Sequence, residues 1–223
     1  LASLIYGRYV DYRKLSVEGI RNVSALDIRM ADEMGYEVKL LGAVSQKDGK
    51  VLAAVYPAML ERGHQLASVS GVLNGVYLKA SAAGAQLFTG AGAGRYPTAS
   101  AVISDLVALA RQKSTGNPVP FPMAFFSKDN EAELLSIDEL ETEFYLRLTT
   151  VDKPGVLSKV TGILGDHGIS IRALSQKPEH DPANVPVIIL THTVKNAKVA
   201  QALKLINALD VVSAPTRVIR FYR

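Results

Sequence analysis

The sequence predicts an α+β fold in two parts: a mixed or antiparallel sheet with helices through residue 113, then, from residue 142, strands and helices in the order βαββαβ. Three observations lead there. In the first part, strand-like and helix-like stretches alternate, but hairpins rather than repeated βαβ crossovers join them. The run Gly116-Asn117-Pro118-Val119-Pro120-Phe121-Pro122 and the polar stretch 127–131 then break the pattern and mark a linker over 114–141. Beyond it, strand and helix patterns follow one another at ferredoxin-like spacing.

Taken in order, Leu1 to Gly7 reads as the last turns of a helix closed by a glycine, with no initiator methionine, so the chain is expected to be a piece of something longer. Residues 9–17 read as irregular or short strand. Ser24-Ala25-Leu26-Asp27 offers a capping-box start to a helix that Gly35 ends, and Asp32 and Glu33 fall on its solvated face. Residues 36–45 and 50–56 read as two strands turned by Asp48-Gly49, the second expected to end at Pro57. A helical turn over 60–63, strand-like residues over 66–80 and a short strand over 86–89 follow. The helix over 98–112 is apolar around most of its girth, which predicts burial against a sheet. Met123, Phe125 and Phe126 predict that part of the linker packs on a domain surface.

In the second part the expected strands are 144–151, 169–175, 187–194 and 213–221, with helices over 155–167 and 197–209. Val156, Leu157, Val160, Ile163 and Leu164 share one helix face, and Val199, Ala202, Leu203 and Ile206 another; both are expected to cover one side of a four-stranded antiparallel sheet. Pro154 suits the first turn of its helix, Asp152 lies where an acid favours the dipole, and Gly168 suits the stop.

Composition narrows the function. A formal charge of +4 over 223 residues is mild and dispersed, and no basic cluster is interleaved with aromatics, so nucleic acid is not an expected partner. No cysteine is present and the four histidines, at 64, 167, 180 and 192, lack ligand spacing, which argues against a metal site. No apolar run approaches the roughly 20 residues that span a bilayer, and Leu1 to Tyr6 carries no secretion signal, so a cytoplasmic location without membrane contact is expected.

Two stretches carry candidate chemistry. Gly90-Ala91-Gly92-Ala93-Gly94 runs into a helix, and glycines there let amides approach a ligand closely. The dinucleotide fingerprint fails because Pro97 stands where its third glycine belongs. Spacing alone leaves a tight structural turn and a ligand contact both open. Asp152-Lys153-Pro154-Gly155-Val156-Leu157, followed by His167-Gly168-Ile169-Ser170-Ile171, reads equally as a well-capped helix or a binding loop.

Resemblance adds to this reading. GAGAGRYPTASAVISDL is similar to the GPGAG-x-x-PTASAV segment late in the homoserine dehydrogenase catalytic domain. Val17-Glu18-Gly19-Ile20, Met34-Gly35-Tyr36, Val38-Lys39-Leu40-Leu41-Gly42, Asn74-Gly75-Val76 and Gly84 resemble that family in the right order, and the stretch from Asp152 resembles an ACT domain. The resemblance implies a partial catalytic domain over 1–113, a linker over 114–141 and an ACT regulatory domain over 142–223. It implies a parent oxidoreductase that uses NAD(P) to interconvert L-homoserine and L-aspartate 4-semialdehyde. The Rossmann domain and the family's catalytic Asp and Lys fall upstream of Leu1, so no catalytic residue is assigned here and the isolated chain is expected to be inactive. Gly94 corresponds to the position touching the nicotinamide cofactor and Gly92 to one shaping that contact, although Ala91 replaces the usual proline and Arg95-Tyr96 is bulkier than usual. Asp152, Lys153, Pro154, Gly155, Val156, Leu157, Gly168, Ile169 and Ser170 correspond to effector-binding positions, with L-threonine the first expected effector, methionine or isoleucine next, and a homodimer as the assembly. The competing reading is a stand-alone amino-acid-binding or dimerisation module without catalysis.

Overall fold

The computed structural model describes residues 1–116, 128–176 and 184–223. In chain order the elements are α1 (Ala2–Tyr6), β1 (Ser16–Val17), α2 (Ala25–Glu33), β2 (Tyr36–Lys47), β3 (Lys50–Glu61), β4 (Leu73–Ala80), β5 (Gly84–Ala91), α3 (Arg95–Thr115), β6 (Glu141–Thr142), β7 (Phe144–Thr150), α4 (Val156–Asp166), β8 (Ile171–Gln176), β9 (Val185–Thr191), β10 (Val194–Lys195), α5 (Asn196–Ile206) and β11 (Val212–Tyr222). They form two compact units that cut across the sequence boundaries at 113 and 142. One unit joins Val10–Leu60 to Ala132–Arg223; the other holds Ser3–Tyr9 and Glu61–Glu131.

The larger unit is built on a mixed seven-stranded sheet, ordered β1-β3-β11-β7-β9-β8 with β2 paired to β3. Its last four strands and α4 and α5 make the expected ferredoxin-like arrangement, with β11, β7, β9 and β8 antiparallel. Alternation along β7 sends Phe144, Leu146 and Leu148 into one core with Val160, Leu164, Val199, Ala202 and Ile206 of the two helices. Tyr145 goes to the opposite face, where Met30 and Ala31 of α2 meet Ile188, Leu190, Ile219 and Phe221. The sheet is therefore covered on both faces, and burying each such aliphatic side chain contributes about 1.5–3 kcal/mol.

Local signals explain how the first segment reaches the sheet. Ser24 and Asp27 form the expected capping box, and Gly35, at φ 83°, turns the chain after α2. Asp48 and Gly49, at φ 51° and 79°, make the tight turn between β2 and β3. Pro57 does not end its strand: β3 continues to Glu61. Along one flank of β3 the neighbour changes from β1, opposite Ala54 and Val55, to β11, opposite Ala58, Met59 and Leu60. Pro57 stands in the gap between those two ladders, where a missing amide leaves no rung open.

The smaller unit contains the β4–β5 hairpin, in register from Leu73–Ala91 to Ala80–Gly84, and α3. Helix α3 departs from expectation. None of its residues is buried, and Val102, Ile103, Leu106 and Leu109 are each more than half exposed. A helix apolar around most of its girth needs partners on several sides, and a two-stranded hairpin is too small to provide them. Met123, Phe125 and Phe126, expected to pack on a surface, lie outside the described residues.

Candidate functional site

The glycine loop is the end of β5 and the start of α3. Gly94 is the N-cap of α3, with φ 121°, a conformation that a side chain rarely adopts, and no side chain caps the helix. A Cβ there would meet only Pro97, at 3.4 Å from Cδ, so the backbone of Gly94 is open to approach. Gly92 is different. Its amide donates to the Val72 carbonyl at 2.8 Å, and a Cβ would lie 2.0 Å from Asn74 Nδ2. Glycine at 92 thus lets the Asn74 side chain lie against the backbone, whereas positive φ is the reason at 94. Residues 90–100 are exposed throughout.

The second candidate site surrounds α4. Gly155, at φ 85°, is the N-cap, so Pro154 precedes the helix instead of opening its first turn. Asp152, Lys153, Pro154 and Gly155 are exposed, Val156 is buried, and Leu157 packs partly against the core. The Val156 amide turns back to the Lys153 carbonyl at 3.4 Å. At the other end, Gly168, at φ 66°, reverses the chain, its amide donating to the Gly165 carbonyl at 2.8 Å. Ile169 is buried in the core, Ser170 is exposed, and the Ser170 carbonyl accepts from the His192 amide. An eleven-residue helix separates the two clusters. At 1.5 Å of rise per residue that is about 16 Å, so one chain does not bring Asp152–Leu157 and Gly168–Ser170 onto one small molecule.

A polar cluster that the sequence reading did not single out ties α2 to the sheet. Asp27 is fully buried; its Oδ1 accepts from Arg147 Nε at 2.6 Å and from the Tyr145 hydroxyl at 3.0 Å, while Oδ2 accepts from Arg147 Nη2 and from Ser24. Burial alone would raise the Asp27 carboxyl, but the hydrogen bonds from Arg147 and Ser24 outweigh it and hold it below its ordinary value. Burial, reinforced by Asp27, pushes the Tyr145 hydroxyl up. Arg147 lies on β7, whose end leads into the loop from Asp152. The only signal in the sequence was the capping box, which accounts for Asp27 without calling for a partner on β7.

Among the described residues, no group of three or more His, Asp or Glu could hold a metal ion, and no helix is long and apolar enough to cross a membrane.

Comparison with known proteins adds the wider context. The homoserine dehydrogenase family model matches residues 1–107, and the ACT domain model matches 144–211. A homoserine dehydrogenase of Neisseria gonorrhoeae is 37% identical over 99% of this chain and 51% of its own length. One from Pseudomonas aeruginosa is 35% identical over 99% and 51%. The crystal structure of a homoserine dehydrogenase from Thiobacillus denitrificans superimposes with a TM-score of 0.84 at 35% identity, covering 99% of this chain and 50% of that one. The chain spans about half the length of the curated relatives it matches.

Proposed function

We propose that this chain, which corresponds to a C-terminal portion of homoserine dehydrogenase, supplies the cofactor-facing loop and the amino-acid-responsive domain of an NAD(P)-dependent enzyme interconverting L-homoserine and L-aspartate 4-semialdehyde. The observation that carries this reading is the occurrence of both family segments, in order, within a match spanning 99% of the chain. Residues 1–113 are the partial catalytic domain, 114–141 the linker and 142–223 the ACT domain. The enzyme acts in the cytoplasm, in threonine, methionine and isoleucine biosynthesis. The cofactor, when bound, accepts or donates the hydride. The open backbone of Gly94 fits close contact with it, and Gly92 holds the loop against Asn74. The exposed apolar residues of α3 suit packing by a Rossmann domain of the same protein.

The regulatory half acts as a homodimer. β3 covers the outer edge of β11 at Arg220–Tyr222, and at the other end of the sheet the edge strand is β8, where Ala173–Gln176 are exposed. Pairing there accounts for effector residues at both ends of α4: Asp152–Leu157 from one copy and Gly168–Ser170 from the other enclose one amino acid, L-threonine before methionine or isoleucine. Asp152 holds its ammonium and the amides around Gly155 and Val156 its carboxylate. The purified chain alone should not oxidise homoserine with either nicotinamide cofactor, whereas fusion behind the N-terminal half of the Neisseria relative should restore turnover; activity of the isolated chain refutes the assignment. Calorimetry with the three amino acids, repeated on Asp152→Ala, tests the effector site.

A further inference from the structure

Between β2, β3 and the end of β11 lies a cavity of about 320 Å³ that none of the effector positions around α4 lines. Val44, Leu52 and Tyr56 give it an apolar wall, and Glu141, Glu143 and Arg223 give it charge. Glu143 is nine-tenths buried and stands between two guanidiniums. Arg223 Nη2 lies 2.8 Å from its Oε1, but Arg172 Nη1 is 3.5 Å from Oε2, and Oε2 is buried without any hydrogen bond. One carboxylate thus faces two cations and bonds one of them well. A buried acceptor left unsatisfied between two donors marks an arrangement able to exchange partners.

We propose that this cavity binds a small aliphatic α-amino acid. The carboxylate meets the guanidinium fork of Arg223, whose side chain is 57% exposed and which leaves Glu143 to reach the ligand. The ammonium meets Glu141, whose ion pair to Lys47 is a long one, 3.7 Å, and the aliphatic side chain lies against Val44 and Leu52. When Arg223 turns to the ligand, Glu143 closes on Arg172. Arg172 is the second residue of β8, two positions past Ser170, so occupancy of the cavity is felt in the strand that carries one side of the proposed effector site. Binding here does not depend on that site.

Calorimetry on the purified 223-residue chain tests the proposal, with L-isoleucine as probe and 3-methylpentanoate, its deaminated counterpart, as control. Isoleucine should bind with a Kd in the millimolar range or tighter and at least about tenfold more tightly than the acid. Arg223→Ala and the cavity-filling Ala43→Phe should each weaken it about tenfold or more, Glu141→Gln should reduce it to the level of the acid, and Asp152→Ala, which removes any isoleucine held at the α4 loop, should leave in place the binding that Arg223→Ala weakens. Thermal melts identical to the parent establish that each variant is folded. No binding up to about 10 mM overturns the proposal. So does binding that survives both Arg223→Ala and Ala43→Phe, or that disappears in Asp152→Ala. Equal affinity for the deaminated acid overturns the amino-acid assignment.

Discussion

Helices α3, α4 and α5 are all rich in aliphatic residues, yet their fates differ. The apolar residues of α4 and α5 fall in single stripes, and Val160, Leu164, Val199 and Ile206 are almost wholly buried against the sheet. Those of α3 are spread around the helix, and none is buried. A stripe can be satisfied by one sheet face, and the chain supplies that face; an apolar girth asks for more surface than the smaller unit contains. The helix whose apolar residues are spread most widely around its girth is therefore left exposed, while the two with a single stripe are buried.

The largest effect should come from the ion pair that binds α2 to the covered sheet. Arg147→Met leaves Asp27 charged and buried without its main partner, and should destabilise the larger unit by about 3–5 kcal/mol in urea denaturation. The pH dependence has a definite sign. The Asp27 carboxyl is lowered in the folded state, so its contribution is complete above the ordinary aspartate range, near pH 4, and is lost as pH falls through the lower folded value. Asp27→Asn should remove that part of the acid dependence; an unchanged acid profile would show that other groups set it.

Next comes the stripe itself. Ile206→Ala, at a fully buried position in α5, should cost about 2–5 kcal/mol by the same measurement. Smaller is the backbone effect at Gly155→Ala, where φ is 85°: about 1–2 kcal/mol, accompanied by weaker threonine binding if the loop serves as proposed. Smallest is Leu106→Ser in α3, expected to change stability by no more than about 0.5 kcal/mol because the side chain is 56% exposed. A cost comparable to that of Ile206→Ala would erase the contrast between the helices. In the fused, active enzyme, Gly94→Val should raise the cofactor KM or lower kcat with little change in melting temperature, whereas a large loss of stability with unaltered kinetics would return the loop to a purely structural role.

Local chemistry made much of this fold readable in advance. The capping box at Ser24, the Asp48-Gly49 turn and the striped faces of α4 and α5 each use residues within a few positions of one another. Three features lacked such a signal. The parallel pairing of β3 with β11 joins residues 58–60 to 220–222, and nothing near Ala58 specifies a partner so distant. Pro57 reads as a strand end until the change of neighbours beside it is seen. Asp27 reads as a helix cap, and its second role depends on Arg147, 120 residues away. At the glycine loop the sequence could not separate 92 from 94, because the difference lies in Asn74, brought alongside by the β4–β5 hairpin.

The β3–β11 ladder also sets an order of events during synthesis. Ala58, Met59 and Leu60 are wholly buried once the sheet is complete, but the strand that pairs with their edge is made only when residues 212–222 are translated. Until then the nascent chain carries an apolar strand with an open edge, the kind of surface that invites association with other chains. Closing so long a loop adds to the entropic barrier only logarithmically with its length, yet contacts so distant in sequence form slowly. The final strand therefore acts as the closing stave of the sheet, and removing residues 220–223 should leave a chain that collects in the aggregated fraction during expression even though every helix remains encoded.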